Sequence, residues 1–494
     1  MMKSSTIFKP TNRIAGVIAL SIILCGITLF SHQDFADNDP PLLQAPMNPK
    51  FLKYIEDQEK GIGGVTYTSD GHPLGFIPDL LDLKYLDTTH FDDQSYFDVS
   101  AIPKSYDLRT KNKLPPVRNQ GPCGSCWAFA TMAAMESSLL PSQKRDFAEQ
   151  HLIDKHGFKW GPCKGGNINM ALAYLTRWAG PLNESDLPYE YAAFMSETDP
   201  NKHVQNVIYI PPKSESSDNK KIKEAVRKYG AVYTTMYYDP DHLYYDPVYY
   251  SYYNPSVEKG GHGVTIVGWQ DNFDKNKFKE IPPGNGAFIV RNSWGPDWGE
   301  DGYFYVSYHD PYFAAMGWNA AFKKPESVSN YKEFYEYDPS GLTNCLGYPP
   351  TSKAWFANIF NAQSNTPLKA VSFYAIGTTS KYKIFIYTNV ETNDPISGTL
   401  ARKKSGRLTS PGYYTIRFNN VRLSQYEKFS VVVKLETPGW EYPIPAEMPV
   451  KGFTKNVKAK NGQSFISSDG KSWADLVKIT SFKNTNVCLK AFAK

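Results

Sequence analysis

The 494-residue sequence predicts an α+β domain, built from a helical lobe and a twisted antiparallel β lobe, followed by an all-β sandwich. Three observations carry that expectation. A cysteine-bearing loop at 120–127 runs into an apolar stretch of helical period, two strand-like segments surround His262 and Asn292, and after about Glu333 the chain changes to short alternating runs.

Lys3, Lys9 and Arg13 precede an uncharged run from Ile14 to Phe30, which reads as an export signal within residues 1–36, with cleavage after Ala36. These 17 residues would span about 25 Å as helix, short of the roughly 30 Å hydrocarbon core, so a retained membrane anchor over 14–30 is the second reading. Cys25 follows Ile23-Leu24 rather than small residues and is not read as a lipid-attachment site. Residues 37–101 are rich in Asp and Pro and lack a dense core pattern, apart from apolar residues between Leu74 and Leu86.

The segment Gln120-Gly121-Pro122-Cys123-Gly124-Ser125-Cys126-Trp127 leads into Trp127 to Leu140, where Phe129, Met132, Ala133 and Leu139 recur at helical spacing. Cys126 therefore stands at a helix N-terminus, where unpaired amides favour a thiolate. A thiolate attacks carbonyl carbon; a thiol barely does. Further helices are expected over Asn167 to Trp178 and Lys221 to Tyr229. A cysteine nucleophile needs a base, and among nine histidines His262 alone sits in a tight glycine setting, Gly260-Gly261-His262-Gly263, before the apolar strand Val264 to Trp269. The next strand, Ala287 to Arg291, delivers Asn292, whose amide can hold the imidazole, beside Trp294, which can screen that contact from water.

These residues resemble the papain family of cysteine peptidases, whose Cys-Gly-Ser-Cys-Trp signature precedes its His and Asn by some 130–150 residues. His262 lies 136 residues beyond Cys126, and Asn292 a further 30, with the polar, proline-rich Asp271 to Gly286 read as a surface hairpin insertion. The resemblance implies Cys126 as nucleophile, His262 as its ion-pair partner and general acid, Asn292 as the holder of the ring, and Gln120 as a second oxyanion donor. It also implies a thiol pKa pulled from about 8.5 to about 3–4. Cys163, in Gly161-Pro162-Cys163-Lys164-Gly165-Gly166, would pair with Cys123, closing a loop of about 41 residues for roughly 4 kcal/mol. Gly165 and Gly166 would pair with extended substrate, and Trp294 would wall the leaving-group side. The peptidase domain is expected over 102–324, with 37–101 as a propeptide that lays Leu74 to Leu86 in the cleft; a flexible leader is the alternative. The long helical inhibitory signature common in the family is not evident in that leader.

Taken singly, a buried cysteine, a histidine in a glycine turn and Asn-Ser-Trp-Gly are ordinary features; in this order and spacing they are not. Glu149-Gln150 has no assigned function, since a solvated cap accounts for it equally well. The chain departs from many relatives in carrying Ile153-Asp154-Lys155 where a further cysteine is common. It departs again in the tyrosine-dense stretch from Tyr233 to Tyr253, which either lines a substrate pocket or is a hairpin with surface tyrosines. No paired-histidine occluding loop follows Cys126, which favours endopeptidase action. A net charge of +5, no cationic run and no zinc-type cysteine spacing argue against nucleic acid and metal, and no cofactor is expected.

The runs Ala370 to Ile376, Lys383 to Tyr387, Tyr413 to Phe418, Phe429 to Leu435 and Val487 to Phe492 predict a β-sandwich over 333–494. Cys345 and Cys488 lie near its ends and either pair or remain two buried thiols. Trp355, Trp440 and Trp473 could stack on sugars, but core positions are the preferred reading. The domain order resembles bacterial and archaeal papain-like peptidases with a lectin-like domain. That resemblance implies a secreted or cell-envelope, monomeric cysteine endopeptidase made as a zymogen. It would act on protein and peptide substrates and meet a surface glycan or envelope protein through its last domain. A non-catalytic adhesin and a peptide ligase are the alternatives.

Overall fold

The computed structural model describes residues 40–86, 101–190 and 199–494; the export-signal stretch, with residues 14–30, Cys25 and the position after Ala36, lies outside the described residues. Among the described residues no helix is long and apolar enough to cross a membrane. The fold class is the expected one, a helical lobe against an antiparallel sheet followed by a β-rich C-terminal part.

Helix Cys126–Leu139 carries small or apolar residues on every side, and all of its side chains are buried. Such a helix belongs in the middle of a lobe. It packs between helices Glu149–Lys155 and Ile168–Thr176 and the strand Gly261–Gln270. Asn167 caps the second of these helices, its side chain accepting from the Met170 N–H at 3.1 Å. Helix Lys220–Tyr229 buries Ile222, Ala225 and Val226 against the sheet and stops at Gly230, whose φ of +104° suits glycine.

The sheet beside the helical lobe runs Val232–Tyr237, Gly261–Gln270, Ala287–Arg291 and Tyr303–Ser307, each antiparallel to the next. Met236 faces His262 across the first pair and Arg291 faces Thr265 across the second, with a bulge at Ile289/Val290. The connection from 271 to 286 leaves both strands intact, as expected, and carries a 3₁₀ turn at Lys275–Lys277 in place of hairpin strands. Asn292 follows the third strand directly.

The C-terminal part forms a six-stranded sheet in the order Thr399–Leu408, Ser380–Thr388, Lys428–Glu436, Lys353–Asn361, Ser464–Ser467, Ala474–Asp475. Its inner face, with Phe356, Ile384, Val433 and Leu435, packs on Val371, Phe373 and Leu489 of a second sheet. That second sheet does not stop at the edge of a separate domain. Its strand Gly412–Val421 pairs with Asn206–Ile210, Gly412 opposite Ile208, so one sheet runs from the sandwich into the peptidase-like lobe.

One disulfide, Cys123–Cys163, is present among the described residues. Cys345 and Cys488 are buried free thiols, so the bond proposed between them is corrected. Both lie against Pro445: Cys345 is its register partner, and the Cys488 N–H donates to its carbonyl at 2.8 Å. Their sequence positions did bring them to one place, but each strand is fixed by backbone pairing without a bond between the sulfurs. Trp440 is a core residue, as preferred, whereas Trp355 and Trp473 are half-buried.

The described residues of the leader pack on the rest of the chain. Helix Pro49–Glu59 sets Phe51 edge-on to Phe453 at 5.1 Å, and Leu43 pairs opposite Gly347. Leu74, Phe76, Ile77, Leu80, Leu81 and Leu86 are all buried. The sparse core pattern of the leader therefore did not mean that its residues 40–86 are unpacked.

Candidate active site

Cys126 is the first residue of its helix and is fully buried. The turn before it is held by a polar scaffold: the Ser125 hydroxyl lies 2.8 Å from the Tyr189 hydroxyl, which donates to the Gln120 carbonyl at 2.9 Å. The Cys123–Cys163 disulfide ties the same turn to the loop bearing Gly165 and Gly166. Opposite the sulfur stands the start of strand Gly261–Gln270. The Gly263 N–H donates to Cys126 Sγ at 3.3 Å, and a side chain at Gly263 would lie 3.1 Å from the Trp127 backbone.

His262 precedes that glycine and is likewise fully buried. Its Nε2 lies 2.8 Å from Asn292 Oδ1; since an amide oxygen only accepts, the proton sits on Nε2. Nδ1 has no hydrogen-bond partner and is left as the basic nitrogen. Trp294 stacks on the imidazole at 4.9 Å, and Tyr238 meets that indole edge-on at 5.1 Å. The structure thus brings Cys126, His262, Asn292 and Trp294 to one place. Gln120 joins them, its Oε1 accepting from Ser293 Oγ at 2.6 Å, one residue beyond Asn292.

The cleft between the lobes is filled by the leader. Phe76 bridges Gly166 in parallel register: the Gly166 N–H donates to the Gly75 carbonyl and the Ile77 N–H to the Gly166 carbonyl, both at 2.9 Å. The Phe76 N–H donates to the Gly261 carbonyl at 2.9 Å. A side chain at Gly166 would run into the Trp127 ring at 2.3 Å, and one at Gly75 into the Gly124 carbonyl at 2.2 Å. Only bare backbone passes between these walls. Gln120 Nε2, expected to face an oxyanion, donates instead to the leader's Pro73 carbonyl at 3.1 Å and to the Cys123 carbonyl at 2.8 Å.

This filling changes the electrostatics. The sequence reading expects a charged pair with a thiol far below its ordinary value. Here burial pushes the Cys126 thiol up, against the opposing pull of the Gly263 and Gly75 N–H groups. Burial takes His262 down to about 4, partly offset by its bond to Asn292. With water excluded, both groups are held neutral, which is the form a low-dielectric site favours.

Sequence reasoning missed three contributors. His72 of the leader stacks on Trp294 at 4.5 Å, on an indole that His262 also contacts. Asp70 receives His242 Nε2 at 2.9 Å, and His242 Nδ1 lies 3.0 Å from the Tyr238 hydroxyl. Asp79 is buried with one oxygen accepting from the Trp318 N–H at 2.7 Å and the other unpaired, and burial lifts its carboxyl to about 7. The clustered polar residues at 68–72 were the available signal. The tyrosine-dense stretch divides: Tyr233, Tyr238 and Tyr252 are buried, with Tyr238 stacked on Tyr252 at 4.8 Å, while Tyr249 is exposed.

Two family models match the chain, Papain family cysteine protease over residues 102–317 and Lectin like domain over 334–493. Chymopapain of Carica papaya is 31% identical over 275 residues, covering 51% of this chain and 71% of that protein. Pro-cathepsin H of Mus musculus is 34% identical over 41% of this chain, which spans 60% of its length, less than two thirds. Among solved structures, the cysteine protease and lectin-like domains of Cwp84, a surface layer associated protein of Clostridium difficile, superpose with a TM-score of 0.77 at 25% identity, covering 92% of this chain and 98% of that one.

Proposed function

The chain belongs to the papain family of cysteine proteases, and on that footing we propose that it is an exported cysteine endopeptidase made as a zymogen. The observation that carries this reading is the meeting of Cys126 Sγ, at a helix start, with the Gly263 N–H and the neighbouring His262, whose ring Asn292 holds in the tautomer that leaves Nδ1 basic.

Once the leader leaves, water and substrate re-enter, the thiol proton passes to His262, and the thiolate attacks the carbonyl carbon of the scissile bond. The oxyanion that forms is met by the Gln120 amide, freed from Pro73, and by the Cys126 backbone N–H. His262 then gives its proton to the leaving amine as the C–N bond breaks, leaving a thioester on Cys126. Water, deprotonated by the same ring, releases the acid and restores the thiol. Trp294 keeps solvent off the His262–Asn292 bond, and Gly165 and Gly166 offer bare backbone to extended substrate.

The zymogen reading is supported by what the sulfur meets. The leader turns the Gly75 N–H toward Cys126 and occupies the Gln120 amide with Pro73. The proposed layout is an export signal over 1–36, a propeptide over 37–101, the peptidase domain over 102–324 and a lectin-like domain over 333–494. The proposed location at the cell envelope is supported by the expected export signal and by the likeness to a surface layer associated protein. The test is mass spectrometry after activation and treatment with an epoxide thiol inhibitor. A mature N-terminus near Ile102 and a single tag on Cys126 are expected; an untagged Cys126 in a processed, folded chain would refute the reading.

A further inference from the structure

The six-stranded sheet of the C-terminal part has an outer face that the catalytic reading does not use. Cross-strand register fixes which side chains share it, because directly opposed residues project to the same side. Arg407 opposes Lys381, and Lys381 opposes Glu436, which opposes Lys353. One row along, Lys383 opposes Lys434, and Lys434 opposes Trp355. In the next row Lys403 opposes Phe385. Six cations therefore stand on four adjacent strands about 4.8 Å apart. Glu436, which Lys381 approaches at 3.4 Å, is the one carboxylate those four strands place among them in the described residues. Two strands on, at the far edge, Asp475 is turned to the Gly462 and Val477 N–H groups.

Lysines on an exposed edge strand have a plain purpose, the blocking of edge-to-edge pairing. That accounts for Lys403 and Arg407 on Thr399–Leu408, and not for Lys383, Lys434 and Lys353, which lie on three interior strands. Lys383 and Lys434 are like charges directly opposed, an arrangement that costs stability. Burial, and then the charges of Lys353 and Lys383, press the Lys434 ammonium below its ordinary value. The aromatic rings on this face hold the cations in place. Lys434 Nζ lies 4.6 Å and Lys353 Nζ 5.7 Å from the Trp355 ring, and Lys403 Nζ lies 5.5 Å from Phe385. Gly470 approaches the Trp355 edge so closely that a Cβ there would fall 2.5 Å from Nε1, which fixes the ring beneath the ammonium groups. A fold that accepts repulsion on interior strands, and clamps it with rings, presents a positive lattice to something outside itself.

We propose that this face, centred on Lys383, Lys434 and Lys353, binds an anionic polysaccharide of the cell envelope, the partner through which the exported peptidase is kept at its site of action. The proposal rests on the exported reading given above. Charge complementarity selects a polyanion. Lysines, as point charges without the fork of arginine, suit negative groups repeated along a polymer better than one phosphate held in fixed geometry. Envelope location selects polysaccharide over nucleic acid.

The experiment uses the full chain and measures binding to polygalacturonate and to poly(glycerol phosphate), with dextran, poly-L-glutamate and oligodeoxythymidine as comparisons. The face variant is the double Lys383→Gln/Lys434→Gln. The control is Arg402→Gln/Lys404→Gln, an equal loss of charge on the opposite side of the edge strand, where Lys404 opposes the inward-facing Ile384. Salt-sensitive binding to at least one of the two anionic polymers is expected, weakened about tenfold in the face variant and unchanged in the control. After activation of each protein, hydrolysis of a small soluble peptide should be measurable and equal in all three, so failure of the peptidase reading is visible separately. Binding to neither polymer, equal loss in both double variants, or tighter binding to polyglutamate or oligodeoxythymidine would overturn the proposal.

Discussion

The cleft and the outer face of the C-terminal sheet place ionisable groups under opposite constraints. In the cleft, Cys126 and His262 are fully buried and held neutral, the sulfur among backbone N–H groups and the imidazole between Asn292 and Trp294. On the sheet, lysines are charged, half-exposed or exposed, and set against one another. A nucleophile has to be stored uncharged and released, whereas a binding surface has to stay charged in water. Desolvation acts in both regions, and on the sheet the repulsion of Lys353 and Lys383 adds to it at Lys434.

The sharpest break of this comparison is Cys126→Ala. Turnover should fall by about 10⁴-fold or more, because residues that act as a unit lose almost all catalysis when one is removed. The thermal midpoint should stay near that of the parent, since a small side chain replaces another. An activity assay beside a melting curve checks both. Gln120→Ala comes next, with kcat lower by about 10²–10³-fold after leader removal if its amide meets the oxyanion. A fall confined to KM would assign Gln120 to binding alone.

The leader can be tested through Asp79. Its docked carboxyl titrates near 7 because burial raises it, against an ordinary value of 3.8, with only the Trp318 N–H in opposition. Docking that depends on the neutral acid is complete below 3.8 and is lost as pH rises towards 7. Inhibition of the mature enzyme by a peptide spanning residues 65–86 should therefore weaken over that window, by at most tenfold per pH unit. A peptide with Asp79→Asn should show a flatter profile. His72 and Asp70 are common to both peptides, so the ratio of their inhibition constants isolates Asp79. A ratio that does not change with pH would remove this carboxyl from the control of docking.

How legible each region was follows from the same contrast. That Cys126, His262, Asn292 and Gln120 would lie together could be read from the sequence because the proposed chemistry asks for those residue types, and the close backbone approach demands glycine at 165, 166 and 263. Helix and strand positions around them follow from period alone. The placement of the leader was legible only in outline. Leu74 to Leu86 suggested a buried extended segment, but that Gly75 faces the sulfur and Asp79 the Trp318 amide depends on long-range packing that no local pattern records. The joining of the two sheets through Gly412 and Ile208 was invisible for another reason: backbone ladders pair almost regardless of side chain. Cys345 and Cys488 show the limit of spacing, which brought the backbone of both to Pro445 without joining their sulfurs.

The smallest expected effect is also the one that most directly sets the two regions apart. Removing a charge from a paired, hydrogen-bonded group usually costs stability, but Lys383 is opposed on its own face by Lys434, so Lys383→Gln should raise stability by about 0.2–1 kcal/mol. Salt should erase the difference, because screening shortens the reach of exposed charges to about 10 Å at 0.1 M and less above it. Denaturant melts of parent and variant at low and high salt provide the measurement. A gain at low salt that vanishes at high salt would mean that the sheet carries a standing electrostatic cost. A loss at both would mean that the Lys383 stem, packed along the strand, matters more than its charge.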